Sequence, residues 1–161
     1  LFPDSWLLHS MASSNEPREE FIEYDILDYL RSRWVFAYHN DIKGYYDQNR
    51  GIYRKNKNPY ILQGIADITW ILPEWEYLAI EVKKPSEMAF FDRPIEELKE
   101  RYAQAFTRNI SSSLLKKHEH AVLQRSFLDD VERAGGTAFF ASSVEEVDME
   151  LKRLWYFHPM R

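Results

Sequence analysis

A chain of 161 residues, 45% hydrophobic and 16% aromatic, suits one domain, which at this size buries roughly two-thirds of its unfolded surface without covalent staples. Cysteine is absent, which excludes a disulfide framework and thiolate zinc binding, leaves oxygen or imidazole to hold any metal, and suits a reducing intracellular setting, cytoplasmic or, in a eukaryote, nuclear. The formal net charge of -5 argues against broad, non-specific nucleic-acid binding, and no apolar run reaches the ~18 residues of a membrane span.

Residues 1–14, which include Met11 and the polar run Ala12-Ser13-Ser14, read as an arm outside the fold, and residues 15–161 as a single domain. Asn15 or Ser14 is placed to cap a first helix with Pro17 in its first turn; Ile22, Ile26, Leu27 and Leu30 then recur at helical spacing to about Arg33. Trp34-Val35-Phe36-Ala37-Tyr38 reads as a short strand, followed by a loop from Asn40 to Gln63. Between Arg31 and Gln63 seven bases (Arg31, Arg33, Lys43, Arg50, Arg54, Lys55, Lys57) stand against two acids (Asp41, Asp47), a local excess of five in an acidic chain. Tyr45, Tyr46, Tyr53 and Tyr60 are interleaved with these bases. Lys43, Arg50, Arg54, Lys55 and Lys57 are therefore candidate nucleic-acid contacts, cations for phosphate beside rings for base stacking; an ordinary solvated loop is the competing reading.

Two β-rich runs, 64–72 and 77–83, are joined by Pro73-Glu74-Trp75-Glu76, a link short enough to require an antiparallel hairpin. Lys84-Pro85-Ser86 ends the second strand, and an amphipathic segment follows with Ile95, Leu98, Tyr102, Ala105, Phe106 and Ile110 on one stripe until Ser111-Ser112-Ser113 breaks it. A helix from about Leu115 to Ala134 stops at Gly135-Gly136, where glycine accepts the left-handed cap conformation. Thr137-Ala138-Phe139-Phe140-Ala141 is then a buried strand, and Ser142-Ser143-Val144-Glu145-Glu146 offers a capping box to a last helix reaching Leu154 or Trp155. This order predicts an α/β domain with a mixed central β-sheet flanked by helices, its last strand entering by a crossover.

Alternation along the hairpin puts Asp67, Thr69 and Ile71 on one face of the first strand, and Tyr77, Ala79, Glu81 and Lys83 on one face of the second. A three-residue loop at 73–75 sets Asp67 opposite Glu81, and a five-residue loop sets it opposite Lys83. Either register clusters all three. Opposed carboxylates repel unless a cation lies between them, and Mg²⁺ or Mn²⁺ prefers carboxylate oxygen and can also hold a phosphate. Lys83 would then contact a scissile phosphate or orient and help deprotonate an attacking water, which is phosphodiester hydrolysis. The alternative places Glu81 and Lys83 on a solvent face as ordinary charges, with Asp67 merely ending a strand.

Gly64-Ile65-Ala66-Asp67 followed by Ala79-Ile80-Glu81-Val82-Lys83 closely resembles the G-x-x-D and E-x-K signature of PD-(D/E)XK nucleases, and more narrowly the virus-type replication-repair nuclease (VRR-NUC) family. The stretch from Gln124 to Val147 is also similar to that family's closing helix, strand and helix. Together the likeness covers residues 18–83 loosely and 120–154 closely. The resemblance implies a restriction-endonuclease-like core in which Asp67, Glu81 and the backbone carbonyl of Val82 bind the metal and Lys83 is the catalytic lysine. It also implies a helix-one glutamate reaching the metal through water: the pattern in Glu19-Glu20-Phe21-Ile22 selects Glu19, with Glu23 one turn later as the fallback. Ordinary acids at a helix N-terminus are the plainer reading of that pair. Gln124 matches the family's helix glutamine. Its spacing to Phe127, Leu128 and Val131 puts an amide on an apolar side, where it can bond Lys83 or the site water, unless it sits at an exposed rim.

Between Lys84 and His120 roughly thirty residues exceed the compact pattern of the family it resembles; this helical insertion, about 85–118, is a candidate lid, dimer surface or DNA clamp. His118 and His120 within this stretch read as ordinary surface residues, since positions i and i+2 diverge on a helix. The resemblance further implies a DNA endonuclease acting on branched forms such as Holliday junctions or flaps, as a homodimer. A catalytically silent DNA-binding module and an oligomerising interaction protein are the alternatives.

Overall fold

The computed structural model describes residues 16–33, 37–40, 45–47, 49–54, 64–72 and 76–154. In chain order the elements are α1 (Glu19–Ser32), β1 (Ala37–His39), β2 (Tyr45–Asp47), β3 (Ile52–Arg54), β4 (Ile68–Ile71), β5 (Tyr77–Val82), α2 (Pro85–Phe91), α3 (Ile95–Thr107), α4 (Ser112–Arg133), β6 (Thr137–Ala141) and α5 (Val144–Arg153). β-branched and aromatic residues with period-two alternation build a four-stranded sheet in the order β1-β4-β5-β6. The β1/β4 and β4/β5 pairs are antiparallel and β5/β6 is parallel, so β6 enters by the crossover that α2, α3 and α4 supply. The domain is a mixed α/β architecture with helices on both faces of the sheet.

Each face buries its own cluster. Ile68, Trp70, Leu72, Leu78, Ile80 and Val82 pack against Ile22, Ile26 and Leu30 of α1 and Val147 and Leu151 of α5. Ala79, Ala138 and Phe140 on the other face meet Ala121, Leu128 and Val131 of α4, with Leu98 of α3 and Phe91 of α2 closing the edge. Each fully buried aliphatic side chain here stabilises the fold by about 1.5–3 kcal/mol. With both faces covered, the solvent-face alternative for Glu81 and Lys83 falls: they are 1% and 4% exposed.

Several boundaries differ from the sequence expectation for local reasons. α1 starts only at Glu19, with Arg18 as N-cap and no side-chain cap, so Pro17 precedes the helix rather than opening it. The Glu16 carboxylate instead accepts from the backbone N–H and the hydroxyl of Ser86, tying this approach to the start of α2. Inside the expected loop lies the β2/β3 hairpin, paired Tyr45↔Arg54 through Asp47↔Ile52, with Gly51 supplying φ 64° in its turn. The insertion is two helices before α4, and Phe106, expected on its apolar stripe, is 67% exposed while Leu98 and Ala105 are buried. Ser111 caps α4 by accepting from the Leu114 N–H, so Ser112 and Ser113 open a helix rather than break one. Of the strand expected over 34–38, residues 34–36 lie outside the described residues and the observed β1 extends to His39.

Candidate active site

The β4/β5 register runs Ile71↔Tyr77 to Ile68↔Ile80, and one further step brings Asp67 level with Glu81. This is the shorter-loop alternative. Asp67 itself stands in a bend just before β4, where its Oδ2 accepts from the Val82 N–H at 2.8 Å. Glu81 lies within the sheet, beside Phe140 of β6. Its Oε1 takes the Lys83 ammonium at 2.6 Å and, in close contact, the Gln124 amide from α4. Lys83 Nζ also donates to the Val82 carbonyl at 2.9 Å, stands 3.6 Å from Glu19 Oε1, and lies 5.0 Å from the centre of the Phe91 ring. Gln124 was expected to bond Lys83 or a water; it bonds Glu81 instead, because α4 lies across the covered face and brings the amide onto the carboxylate.

Beside this buried group, Glu19, Glu23 and Asp67 each present a carboxylate oxygen, all within 4.8 Å of one another. Glu19 and Glu23 are four residues apart on α1 and so share one face, which ends at the mouth of the sheet. The helix-one alternatives therefore both reach the cluster. Glu23 is buried and meets the Nε2 of His39 at 2.9 Å.

The donor set fits a hard divalent cation. Opposed oxygens of one Mg²⁺ stand about 4.2 Å apart and adjacent ones about 3.0 Å, so three carboxylate oxygens within 4.8 Å of one another are near enough to close on one ion. Next to this cluster, within the Glu81–Lys83–Gln124 group, Glu81 Oε2 and Gln124 Oε1 are buried without a hydrogen-bond partner.

The electrostatics follow from crowding. Burial pushes the Glu81 carboxyl well above its ordinary range; the Asp67 charge adds to this and Lys83 opposes it. Burial likewise raises Glu19 against the pull of Lys83. For Lys83 burial acts downward, but Glu81, Asp67 and Glu19 outweigh it and hold the ammonium above its usual value. His120 is exposed, and partial desolvation together with the Lys83 charge holds its imidazole below the usual value. His118 packs against Phe90 at 4.9 Å between ring centres. Neither histidine joins the acidic cluster.

Of the basic residues expected to meet nucleic acid, Arg50 is exposed in the β2/β3 turn and Arg54 ends β3, while Lys43, Lys55 and Lys57 lie outside the described residues. The sequence reading missed His39, Asn40 and Phe91 as neighbours of the site; a histidine and an asparagine ending a strand were the available signal for the first two. Among the described residues no helix is long and apolar enough to cross a membrane. No protein family, curated protein or solved structure matches this chain.

Proposed function

We propose that this chain is a Mg²⁺- or Mn²⁺-dependent deoxyribonuclease with a PD-(D/E)XK-type core, hydrolysing phosphodiester bonds in DNA, branched forms among them. The observation that carries the reading is the convergence of the Glu19, Glu23 and Asp67 carboxylates within 4.8 Å beside the buried Glu81–Lys83 pair. Three acids are gathered at ligand spacing, and a buried cation stands ready for an anionic substrate.

In this reading Asp67, Glu19 and Glu23 hold the metal, and the family resemblance adds Glu81 and the Val82 carbonyl as expected ligands. When bound, the metal supplies Lewis acidity toward a phosphoryl oxygen and lowers the pKa of a coordinated water. Lys83 keeps acceptors at 2.6 and 2.9 Å, the environment of an ammonium rather than a free amine, so its role is to stabilise negative charge growing on the phosphate. Gln124 fixes the Glu81 carboxylate that in turn aims Lys83. A homodimer would present two such sites and suit a four-way junction.

The test is incubation of junction, flap and linear duplex DNA with Mg²⁺, Mn²⁺ or EDTA. Cleavage is expected with either metal and none with chelator, and Asp67→Ala or Glu81→Ala abolishes it. Lys83→Ala slows cleavage roughly a hundredfold to a thousandfold, the usual loss for one charge-stabilising group. Undiminished cleavage by the Glu81 or Lys83 variant sinks the mechanism. Salt-sensitive DNA binding with no metal-dependent product would instead make the chain a silent binding module.

A further inference from the structure

The end of β1 places two consecutive polar residues on opposite sides of the strand, and each reaches a different part of the acidic cluster. His39 Nε2 donates toward Glu23 Oε2 at 2.9 Å. Glu23 is 8% exposed, and a carboxylate that deep requires donors to offset lost water. Asn40 turns the other way: its Nδ2 donates to the Ala66 carbonyl at 2.8 Å and lies 3.3 Å from Thr69 Oγ1, and its backbone N–H donates to the Asp67 carbonyl at 2.7 Å. These bonds hold the bend that carries Asp67. Meanwhile the Asp67 side chain is held by the Val82 N–H.

Three carboxylates within 4.8 Å repel one another, and without restraint their side chains would swing apart. We infer that His39 and Asn40 act as a positioning pair for the metal centre, His39 fixing the Glu23 carboxylate and Asn40 fixing the backbone of Asp67, so that both stand at ligand spacing before an ion arrives. The inference rests on the metal-dependent reading above and adds residues to it. Outer hydrogen-bond partners of this kind set ligand orientation and raise affinity. With Nε2 engaged by Glu23, His39 is a positioning residue and not itself a ligand.

The experiment is calorimetric titration of Mn²⁺ into the full chain and its variants, with no substrate present. His39→Ala weakens Mn²⁺ binding about tenfold to a hundredfold. His39→Gln, which keeps an N–H donor of similar reach, restores most of the affinity. Asn40→Asp, which sets an acceptor against the Ala66 carbonyl, repeats the loss. The metal-free melting temperature of each variant separates a local effect from general unfolding. Electron spin-echo spectra of Mn²⁺ bound to the unaltered chain show no ¹⁴N coupling of the size a directly bound imidazole gives, a readout independent of whether any variant folds. Unchanged affinity in His39→Ala, failure of Gln to do better than Ala, or an imidazole-sized ¹⁴N coupling overturns the inference while leaving the metal site standing. Failure of the unaltered chain to bind Mn²⁺ overturns both.

Discussion

Glu81 is 1% exposed, and its carboxyl is held well above the ordinary value of 4.5, first by burial and next by the charge of Asp67. A raised carboxyl means that the folded chain binds this proton more tightly than the unfolded chain does. Its ionisation therefore removes stability as pH rises from about 4.5 toward the raised value, and the loss is complete above it. Glu81→Gln keeps the shape and an acceptor for Gln124 but cannot ionise. In the metal-free protein it is expected to flatten the fall in melting temperature that the unaltered chain shows as pH rises from about 4.5 toward the raised value. An equally steep fall with pH in both chains, measured by calorimetry without metal, would contradict this account. At this scale alternation predicted Asp67, Glu81 and Lys83 on one face, whereas the burial of Glu81 and Lys83 was illegible because it depends on α4, which begins some thirty residues later.

Gly64 shows how an element boundary reaches the site. It adopts φ +78°, and an added Cβ would lie 2.6 Å from the Leu123 carbonyl carbon and 2.9 Å from the Gln124 backbone nitrogen. The strand approach is thus pressed against α4 at the very turn that delivers the Gln124 amide. Gly135, which ends α4, shares the positive φ but has nothing within 4 Å of such a Cβ. Gly135→Ala is accordingly expected to cost about 1–2 kcal/mol from backbone strain alone. Gly64→Ala carries the same strain and adds overpacking worth about 1–3 kcal/mol. Urea unfolding of the two variants decides it: equal losses would show that the Gly64 contact yields freely. Helices α1, α4 and α5 and strands β4, β5 and β6 were readable because each carries a long period or a bounded apolar run. The short β2/β3 pair and the division of the insertion into α2 and α3 were not, since seven-residue and three-residue elements carry too little periodicity to stand out.

The whole molecule stores repulsion where α1, β4 and β5 meet, and anything that neutralises it should stabilise the fold. Binding to the folded state alone adds about 2.7 kcal/mol at a hundredfold excess of ion over Kd. Thermal melts with Mn²⁺ should therefore rise by several degrees for the unaltered chain and much less for Asp67→Asn; equal shifts in both would place the ion elsewhere. The insertion belongs to this scale too, because α2 brings Phe91 to 5.0 Å from the Lys83 ammonium while Ser86 is held by Glu16 from the approach to α1. The sequence by itself determined the α/β class, the hairpin, and the residue types able to hold a cation, because period-two alternation and turn chemistry are local. Only the tertiary structure decided that Glu19 and Glu23 both reach Asp67, that Gln124 clamps Glu81, and that His39 backs Glu23. Those contacts join residues up to 48 positions apart, Glu19 to Asp67, and no local pattern specifies which helix face will lie against which strand end. Asp67 and the Glu81–Lys83 pair were singled out by spacing; that the acidic cluster is Glu19, Glu23 and Asp67, without Glu81, was decided by packing.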